Sequence, residues 1–207
     1  MTERQARLKI VEIGRLMYQF RYIVAGDGNI SIRLGDHILI TPRGACKGLL
    51  SADELSLISL SGKVIRGRAE PSSEKEMHLT VYNSRPEIKA VVHGHPLFAT
   101  SFASAGLSLK DSVLPEIILT LGKIPLAEYG TPGTSEVGNS ISDLIRESDA
   151  ILLENHGVLA IGRDIETAYF NLERVEHYAQ IAFQAKMLGG YTVLPDEKVR
   201  KLRETVS

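Results

Sequence analysis

The sequence contains short segments typical of β-strands that are joined by tight turns. Longer segments with helical periodicity lie apart from them, and this arrangement limits the folds that the chain can adopt. Two pairs of segments are typical of β-hairpins: 30–33 and 37–41 flank a Leu-Gly-Asp turn, and 55–60 and 63–66 flank a Ser-Gly turn. Hydrophobic periodicity and apolar runs predict further elements, namely an N-terminal helix ending near Tyr22, helices at 74–83, 135–147 and 165–188, and strands at 90–95 and 150–154. Hairpins pair antiparallel strands, so the pattern predicts a largely antiparallel sheet covered by helices.

The composition of the 207 residues fits one domain and excludes several classes of function. Lys plus Arg number 24 and Asp plus Glu 25, a net charge of −1, so no charge excess indicates nucleic acid or an anionic membrane as a partner. The longest stretch without charged residues, 90–109, contains histidines and hydroxyls, unlike a membrane span. A single cysteine and the lack of a signal-peptide core predict a cytoplasmic location. We expect one domain over 1–207, with its core at about 4–188 and a charged C-terminal tail at about 190–207.

Three histidines form the first cluster of candidate functional residues. His93 and His95 lie in one predicted strand, where alternation points both to the same face, and Gly94 leaves the opposite face open. His156 follows an apolar strand, at the kind of strand-end turn that often displays functional side chains. Three histidines suit a catalytic zinc site, which keeps a position for water or substrate, although three unrelated loop histidines would give the same pattern.

The sequence Pro-Ser-Ser-Glu lies at the predicted start of a helix. Ser73 and Glu76 have the spacing of a capping box. The free N–H groups of a helix N-terminus, together with the hydroxyls of Ser72 and Ser73, also form a ready site for an anion. Glu74 falls in the first predicted turn, where the helix dipole tolerates a carboxylate whether or not it does chemistry. Capping and phosphate binding are therefore compatible predictions for this segment.

Two glycine-containing turns supply further candidates. Gly-Asp-Gly-Asn contains Gly28 and Asn29, and Thr-Pro-Arg-Gly contains Arg43 and Gly44. The glycines allow backbone amides to approach a ligand closely, Asn29 offers a side-chain amide, and the forked cation of Arg43 suits phosphate or carboxylate. Both sequences are also ordinary turns, so a purely structural role stays open.

Together these motifs have the order and approximate spacing of the class II aldolase/adducin family, which the sequence resembles from about Arg4 to Leu188. The matching motifs are Gly-Asn-Ile-Ser near 30, Thr-Pro-Arg-Gly near 42, Pro-Ser-Ser-Glu near 72, His-Gly-His-Pro at 93, Tyr-Gly-Thr-Pro-Gly-Thr at 129–134 and Asn-His-Gly at 155. The resemblance is greatest to the fuculose phosphate aldolase branch. It implies an α/β fold with a central, mainly antiparallel sheet between helices, a C4 homotetramer with active sites near subunit interfaces, and one zinc ion per subunit.

The resemblance also implies a role for each candidate residue. Glu74 matches the carboxylate that caps the resting zinc and acts as general acid and base. The zinc ligands of the family are matched by His93, His95 and His156, and its phosphate pocket by Gly28, Asn29, Gly44, Ser72 and Ser73. The implied reaction is the zinc-dependent cleavage of a ketose 1-phosphate, a small sugar phosphate, to dihydroxyacetone phosphate and an aldehyde through a metal-stabilised enediolate.

Two departures from the fuculose phosphate aldolase pattern leave the substrate open. Arg43 replaces a threonine of the pocket motif, where it would strengthen phosphate binding, bind a carboxylate, or point to solvent. In those aldolases a tyrosine from a neighbouring subunit donates the proton, and the matching residues 112–118 contain no tyrosine. Glu116 is one alternative donor. Tyr129 and Tyr191 are further candidates for reaching a neighbouring subunit's site, with packing as the simpler explanation for both.

Other functions of the same family stay open at this stage. Glu74 disfavours the epimerase branch, which has aspartate at the matching position. Methylthioribulose-1-phosphate dehydratases and the decarboxylases of the superfamily share the metal site, so the motifs do not separate them from an aldolase. A non-catalytic, adducin-like oligomerisation and binding module is a further alternative, but it lacks the complete metal set found here. Structural roles are predicted for Cys46, His37, His78 and His177.

Overall fold

The computed structural model describes residues 1–205 and is built around an eight-stranded sheet in the order β4-β3-β2-β1-β5-β8-β7-β6. All neighbouring strands are antiparallel except β6 and β7. The mainly antiparallel sheet and both predicted hairpins are therefore confirmed. The strands are β1 (Asn29–Leu34), β2 (His37–Ile40), β3 (Ser56–Ser59), β4 (Val64–Arg66), β5 (Ala90–Gly94), β6 (Leu126–Ala127), β7 (Ala150–Leu153) and β8 (Gly157–Gly162).

Helices cover both faces of the sheet, which confirms the α/β fold. Between residues 1 and 205 they are α1 (Glu3–Gln19), α2 (Lys75–Ser84), α3 (Leu97–Ser104), α4 (Pro115–Thr120), α5 (Ser135–Ile141), α6 (Ile165–Met187) and α7 (Asp196–Glu204). Side chains of α1, α3 and α6 form a hydrophobic core on one face, and those of α2 and α5 form a second core on the other. Over the same residues, none of these helices has the length and apolar character needed to cross a bilayer.

Alternation along the central strands decides which side chains face α2. In β5, Ala90 and Val92 belong to the core under α1 and α6, whereas Val91 belongs to the core under α2. His93 therefore points to the α2 face. In the neighbouring strand, Asn29 lies directly opposite His93 and shares this face. The sheet thus brings polar residues of β1 and β5 to the N-terminal end of α2.

The ends of two predicted helices differ from the structure. The helix predicted at 135–147 is interrupted, because α5 ends at Ile141 and only a short 3-10 turn, Leu144–Arg146, follows. The N-terminal helix ends at Gln19, three residues earlier than predicted. By contrast, α6 begins where predicted, with the Asp164 carboxylate accepting a hydrogen bond of 2.6 Å from the Thr167 N–H.

The segment predicted as a charged tail contains a packed helix. Val199 of α7 is buried, and just before this helix the Leu194 N–H donates a hydrogen bond of 2.8 Å to the carbonyl of Ser112. The charge pattern is that of an amphipathic helix whose apolar side is covered. The last two residues of the predicted tail, 206 and 207, lie outside the described residues.

Candidate metal centre and active site

His93, His95 and His156 converge at the end of β5. Their ligand nitrogens all lie within 4.8 Å of one another, and the Nε2 atoms of His93 and His95 are 3.2 Å apart. His93 is fully buried, and its Nδ1 donates to the carbonyl of Val158 at 2.9 Å. This bond fixes the tautomer that leaves Nε2 unprotonated, as metal-binding histidines require. Burial lowers the pKa of His93 well below its ordinary value and so favours the neutral ring.

Glycines hold the backbone of the histidine cluster at close range. A Cβ at Gly157 would lie 2.5 Å from both the Gly94 carbonyl oxygen and Cδ2 of His95. On the other side of β5, a Cβ at Gly94 would lie 2.8 Å from the Tyr22 carbonyl oxygen, so the face opposite the histidines is covered rather than open as predicted. His156 leaves the β7–β8 turn directly after Asn155, which takes a left-handed φ of 53°.

The Glu74 carboxylate faces this cluster. Its Oε1 lies 3.0 Å from Nε2 of His156, and its Oε2 lies 3.4 Å from Nε2 of His93. Asn29 Nδ2 donates to Oε2 at 2.7 Å, whereas Oε1 is buried without a hydrogen-bond partner. Burial alone would raise the pKa of Glu74, but the polar surroundings of His93 and His156 and the hydrogen bond from Asn29 outweigh burial and hold the pKa below its usual range. Glu74 is therefore ionised at neutral pH.

The donor set fits a divalent metal ion. Ligands at 2.0–2.2 Å in tetrahedral geometry are about 3.3 Å apart, close to the 3.2 Å and 3.4 Å separations of His93 Nε2 from His95 Nε2 and Glu74 Oε2. The unpartnered Glu74 Oε1 is the kind of buried oxygen that a cation would satisfy. Three imidazoles and one carboxylate can thus hold a metal ion at this point.

The predicted capping box is wrong. Glu74 rather than Ser73 is the N-cap of α2, and no side chain caps that helix. The Ser72 hydroxyl instead accepts a 3.3 Å hydrogen bond from the Glu74 N–H. The tertiary contacts of Glu74 with Asn29 and the histidines turn its side chain towards the sheet and delay the start of α2 by one residue. The Ser73 side chain is left exposed at the helix N-terminus.

An open cleft of about 350 Å³ brings the predicted residues together. Gly28 takes a φ of +68°, and a Cβ there would lie 2.7 Å from the His93 carbonyl oxygen, so a larger residue would displace β5. His93 lies behind the cleft rather than in its wall. The wall contains every candidate substrate residue, Gly28, Asn29, Arg43, Gly44, Ser72 and Ser73, together with Glu74, His95 and His156.

Lys47 is a cleft residue that sequence reasoning missed. Only 2% of it is exposed, and its Nζ donates to the Gly26 carbonyl at 2.6 Å. Burial lowers the pKa of Lys47, although Asp27 and Glu74 partly offset this. No local pattern marks the position, because Lys47 begins only a short 3-10 turn, Lys47–Leu49, after the Thr-Pro-Arg-Gly turn. Arg43, by contrast, is exposed at the rim, 3.4 Å from Glu70 Oε1.

The alternative proton donors lie elsewhere. Tyr191 donates to Asp111 Oδ2 at 2.7 Å, Tyr129 is 54% exposed, and Glu116 lies on the exposed side of α4. None of the three lines the cleft, and among residues 1–205 no tyrosine does. His37 and His177 are exposed, whereas His78 is fully buried and bonds to Asn29.

A mainly antiparallel sheet between helical layers, with a histidine cluster and a glutamate at the start of α2, defines a class of enzyme. The family model described as "Class II Aldolase and Adducin N-terminal domain" matches residues 8–183. The chain therefore belongs to the class II aldolase and adducin family, and it is an aldolase or decarboxylase of that superfamily.

Individual relatives divide between two activities. The chain is 37% identical to an L-fuculose phosphate aldolase of Methanococcus maripaludis, over 84% of this chain and 94% of the relative. It is 35% identical to a 3-oxo-tetronate 4-phosphate decarboxylase of Pectobacterium atrosepticum, over 97% of this chain and 90% of the relative. Among solved structures it is similar to YgbL of Klebsiella pneumoniae, for which aldolase, epimerase or decarboxylase activity has been suggested. That match has a TM-score of 0.90 and 33% identity, and it covers 98% of this chain and 100% of that chain.

Proposed function

We propose that this protein is a zinc-dependent aldolase that cleaves a ketose 1-phosphate, such as L-fuculose 1-phosphate, to dihydroxyacetone phosphate and an aldehyde. The observation that carries the proposal is the position of Glu74, an ionised carboxylate between the histidine cluster and the start of α2. A sugar phosphate that spans the cleft would place its phosphate at the helix start and its ketone near the histidines.

Different residues along the cleft would bind the metal ion and the phosphate. His93, His95 and His156 would hold one zinc ion, which when bound supplies a Lewis acid for the ketone and its neighbouring hydroxyl. Phosphate would bind the free N–H groups at the start of α2 and the hydroxyl of Ser73. Backbone groups of Gly28 and Gly44 and the side chain of Asn29 complete the proposed pocket, with Ser72, Arg43 and Lys47 beside it.

Glu74 is proposed to move the proton at the reacting carbon. In cleavage, the bond between C3 and C4 breaks, the C4 hydroxyl passes its proton to water in the open cleft and becomes the aldehyde, and the electron pair stays on C3 as an enediolate. Glu74, once it has taken up a proton from water, delivers that proton to C3, which completes dihydroxyacetone phosphate. In condensation the same carboxylate removes that proton. Its low pKa keeps it in the basic form that removal requires.

Decarboxylation of 3-oxo-tetronate 4-phosphate is a second candidate that one observation favours. Loss of carbon dioxide from this keto acid leaves the same enediolate, and protonation again gives dihydroxyacetone phosphate. No hydroxyl proton has to be moved in this case. The lack of a tyrosine at 112–118, the region that supplies the donor from a neighbouring subunit in the fuculose phosphate aldolases, therefore matters less to a decarboxylase than to an aldolase.

One set of assays separates the candidates. Zinc-loaded protein would receive dihydroxyacetone phosphate with lactaldehyde or glycolaldehyde, and separately 3-oxo-tetronate 4-phosphate. Ketose phosphate formation supports the aldolase, whereas release of carbon dioxide without condensation supports the decarboxylase. Methylthioribulose 1-phosphate tests the dehydratase alternative, and loss of water from it alone would reject both lyases. No turnover in any assay, with zinc absent from the purified protein, would instead support a non-catalytic module.

Replacing Ser73 with alanine is expected to weaken binding of dihydroxyacetone phosphate about tenfold or more, because a hydrogen bond to a charged group contributes about 1.5–3 kcal/mol. Binding of unphosphorylated dihydroxyacetone should not change. Calorimetric titration of both ligands measures the difference, with Ser104→Ala, an exposed serine of α3, as the matched control. Equal losses for the two ligands would place the phosphate site elsewhere.

Replacing Lys47 with methionine is expected to lower affinity for the phosphorylated ligand by about 10- to 100-fold, since a partly dehydrated ammonium interacts strongly with an anion. The methionine stem fills most of the buried space, so the free energy of unfolding should change little. Inhibition constants for inorganic phosphate provide the measurement. Lys63→Met, an exposed lysine, is the control, and unchanged inhibition in Lys47→Met would remove Lys47 from the pocket.

We also propose a C4 homotetramer with a cytoplasmic location. Exposed apolar side chains on α6, Phe170, Phe183 and Met187, support subunit contacts on that helix. The location stays a prediction from cysteine usage.

A further inference from the structure

A buried chain of hydrogen bonds leads from Glu74 to the interior of the domain. Asn29 Nδ2 donates to Glu74 Oε2 at 2.7 Å, and Asn29 Oδ1 contacts Nε2 of His78. On the other side of that ring, Nδ1 lies 2.7 Å from the hydroxyl of Ser31. The Ser31 hydroxyl in turn lies 2.7 Å from the hydroxyl of Tyr82. Five side chains are thereby joined in one line.

Water does not reach the middle of this line. His78 and Ser31 have no exposed surface, and Tyr82 and Asn29 are 1% and 2% exposed. Asn29 and Ser31 are alternate residues of β1, and His78 and Tyr82 lie one turn apart on α2, so the two elements clamp the line between them. Each of these polar groups must therefore find its partner within the protein rather than in water.

The direction of every hydrogen bond follows from the Asn29 amide. Its Nδ2 donates to Glu74 Oε2, so its Oδ1, which only accepts, faces His78. His78 Nε2 must then carry a proton and donate. In the neutral ring Nδ1 is an acceptor, so Ser31 donates to it, and Tyr82 donates to Ser31. The opposite His78 tautomer would place two acceptors, Nε2 and Asn29 Oδ1, against each other.

We propose that His78, in its neutral Nε2–H tautomer, is a positioning residue that fixes the Asn29 amide and through it the orientation of the Glu74 carboxylate. Burial lowers the pKa of His78 to about 4, which keeps the ring neutral near pH 7. The effect on turnover rests on the proposed function of Glu74, but the hydrogen-bond direction does not.

Loss of the His78 donor has a defined consequence. Asn29 Oδ1 would then be buried without its donor, and the amide would lose one of the two contacts that hold it in place. The amide could then shift away from Glu74 Oε2, and the carboxylate would lose the hydrogen bond that orients it towards the histidines. A side chain that merely filled the space of His78 would not prevent this shift.

The first test is the tautomer itself. Protein labelled with ¹⁵N at histidine is examined by NMR, with the His78 signals assigned by their loss in His78→Gln. We expect Nε2 protonated and Nδ1 unprotonated. The opposite tautomer or a charged ring would overturn the proposal, and this measurement does not depend on activity.

Two substitutions then separate positioning from packing. The amide nitrogen of His78→Gln reaches the place of Nε2 and can donate to Asn29, whereas that of His78→Asn reaches only the place of Nδ1. The probe is dihydroxyacetone phosphate in D₂O, whose hydroxymethyl hydrogens exchange through the enediolate. We expect the asparagine variant to lose about 10- to 100-fold in kcat with little change in KM, and the glutamine variant to recover most of the rate. His37→Gln and His37→Asn, on the exposed end of β2, are the matched controls.

Equal losses in both His78 variants would show a packing role and overturn the proposal. If the wild-type protein exchanges no hydrogens, the proposed function is wrong. The tautomer, and the ¹⁵N signal of the Asn29 amide in the two variants, still decide the role of His78 in that case. A shift of that signal in both variants alike would contradict it.

Discussion

Replacing Glu74 with glutamine is expected to slow hydrogen exchange into dihydroxyacetone phosphate by about 10²–10⁴-fold, the usual contribution of a positioned general acid or base. The amide oxygen of glutamine can still accept from Asn29 Nδ2, so the side chain keeps its place, but it cannot accept a proton from the reacting carbon. Proton NMR of the substrate in D₂O measures the rate directly, and this half-reaction is common to the aldolase and the decarboxylase.

The control for this prediction is Glu76→Gln, an exposed carboxylate in the first turn of the same helix. Zinc content is measured in parallel, because the three histidines should retain the ion. If Glu74 only capped the helix, its loss would cost at most about 2 kcal/mol of stability and spare the exchange. Unchanged exchange in Glu74→Gln would therefore remove Glu74 from the chemistry.

Replacing His95 with alanine is expected to reduce bound zinc from about one ion per chain to almost none after dialysis. Loss of an outer-shell partner lowers metal affinity by about 10- to 100-fold, and loss of a direct ligand should exceed this. His95 is the best of the three histidines to test, because it lies just beyond β5 and is partly exposed. His93 is fully buried and holds the Val158 carbonyl, so its truncation would also perturb the sheet.

Metal analysis and thermal unfolding provide the measurement for His95→Ala. A chelator should lower the unfolding temperature of the wild-type protein and leave that of the variant unchanged, since only the former has an ion to lose. His177→Ala, an exposed histidine of α6, controls for the general loss of an imidazole. Full retention of zinc by His95→Ala would exclude this residue from the metal site.

Local patterns predicted the parts of the molecule that depend on neighbours in sequence. The turns at Gly35 and Gly62 predicted two hairpins, because a short glycine-containing turn between two apolar strand segments is typical of a β-hairpin. Strand alternation likewise predicted that His93 and His95 share one face, because it depends only on the two-residue period of a strand. The ligand roles of these residues stay predictions, but their proximity in space is a finding.

Contacts between distant segments could not be predicted in this way. Alternation in Asn-Ile-Ser-Ile suggests a strand with its polar side in water, whereas Asn29 and Ser31 are buried under α2. The sequence of α2 contained a signal for this burial. His78 and Tyr82 are four residues apart and therefore form a polar patch on one face of the helix. The capping box failed for a related reason, because the contacts of Glu74 outweighed a local preference of Ser73.

The strand order also determines at what stage of synthesis the residues of the candidate site can come together. Ile30 pairs with Val92, and Val92 pairs with Ala160, so β5 joins an N-terminal meander to a C-terminal hairpin. Each half can form from nearby residues, but their junction requires closure of long loops, which is slow. Asn29 and Glu74 belong to the first half, and His156 belongs to the second. A nascent chain leaving the ribosome therefore has no complete donor set until nearly all of the sheet has been synthesised, and the proposed metal loading would be one of the last events in its maturation.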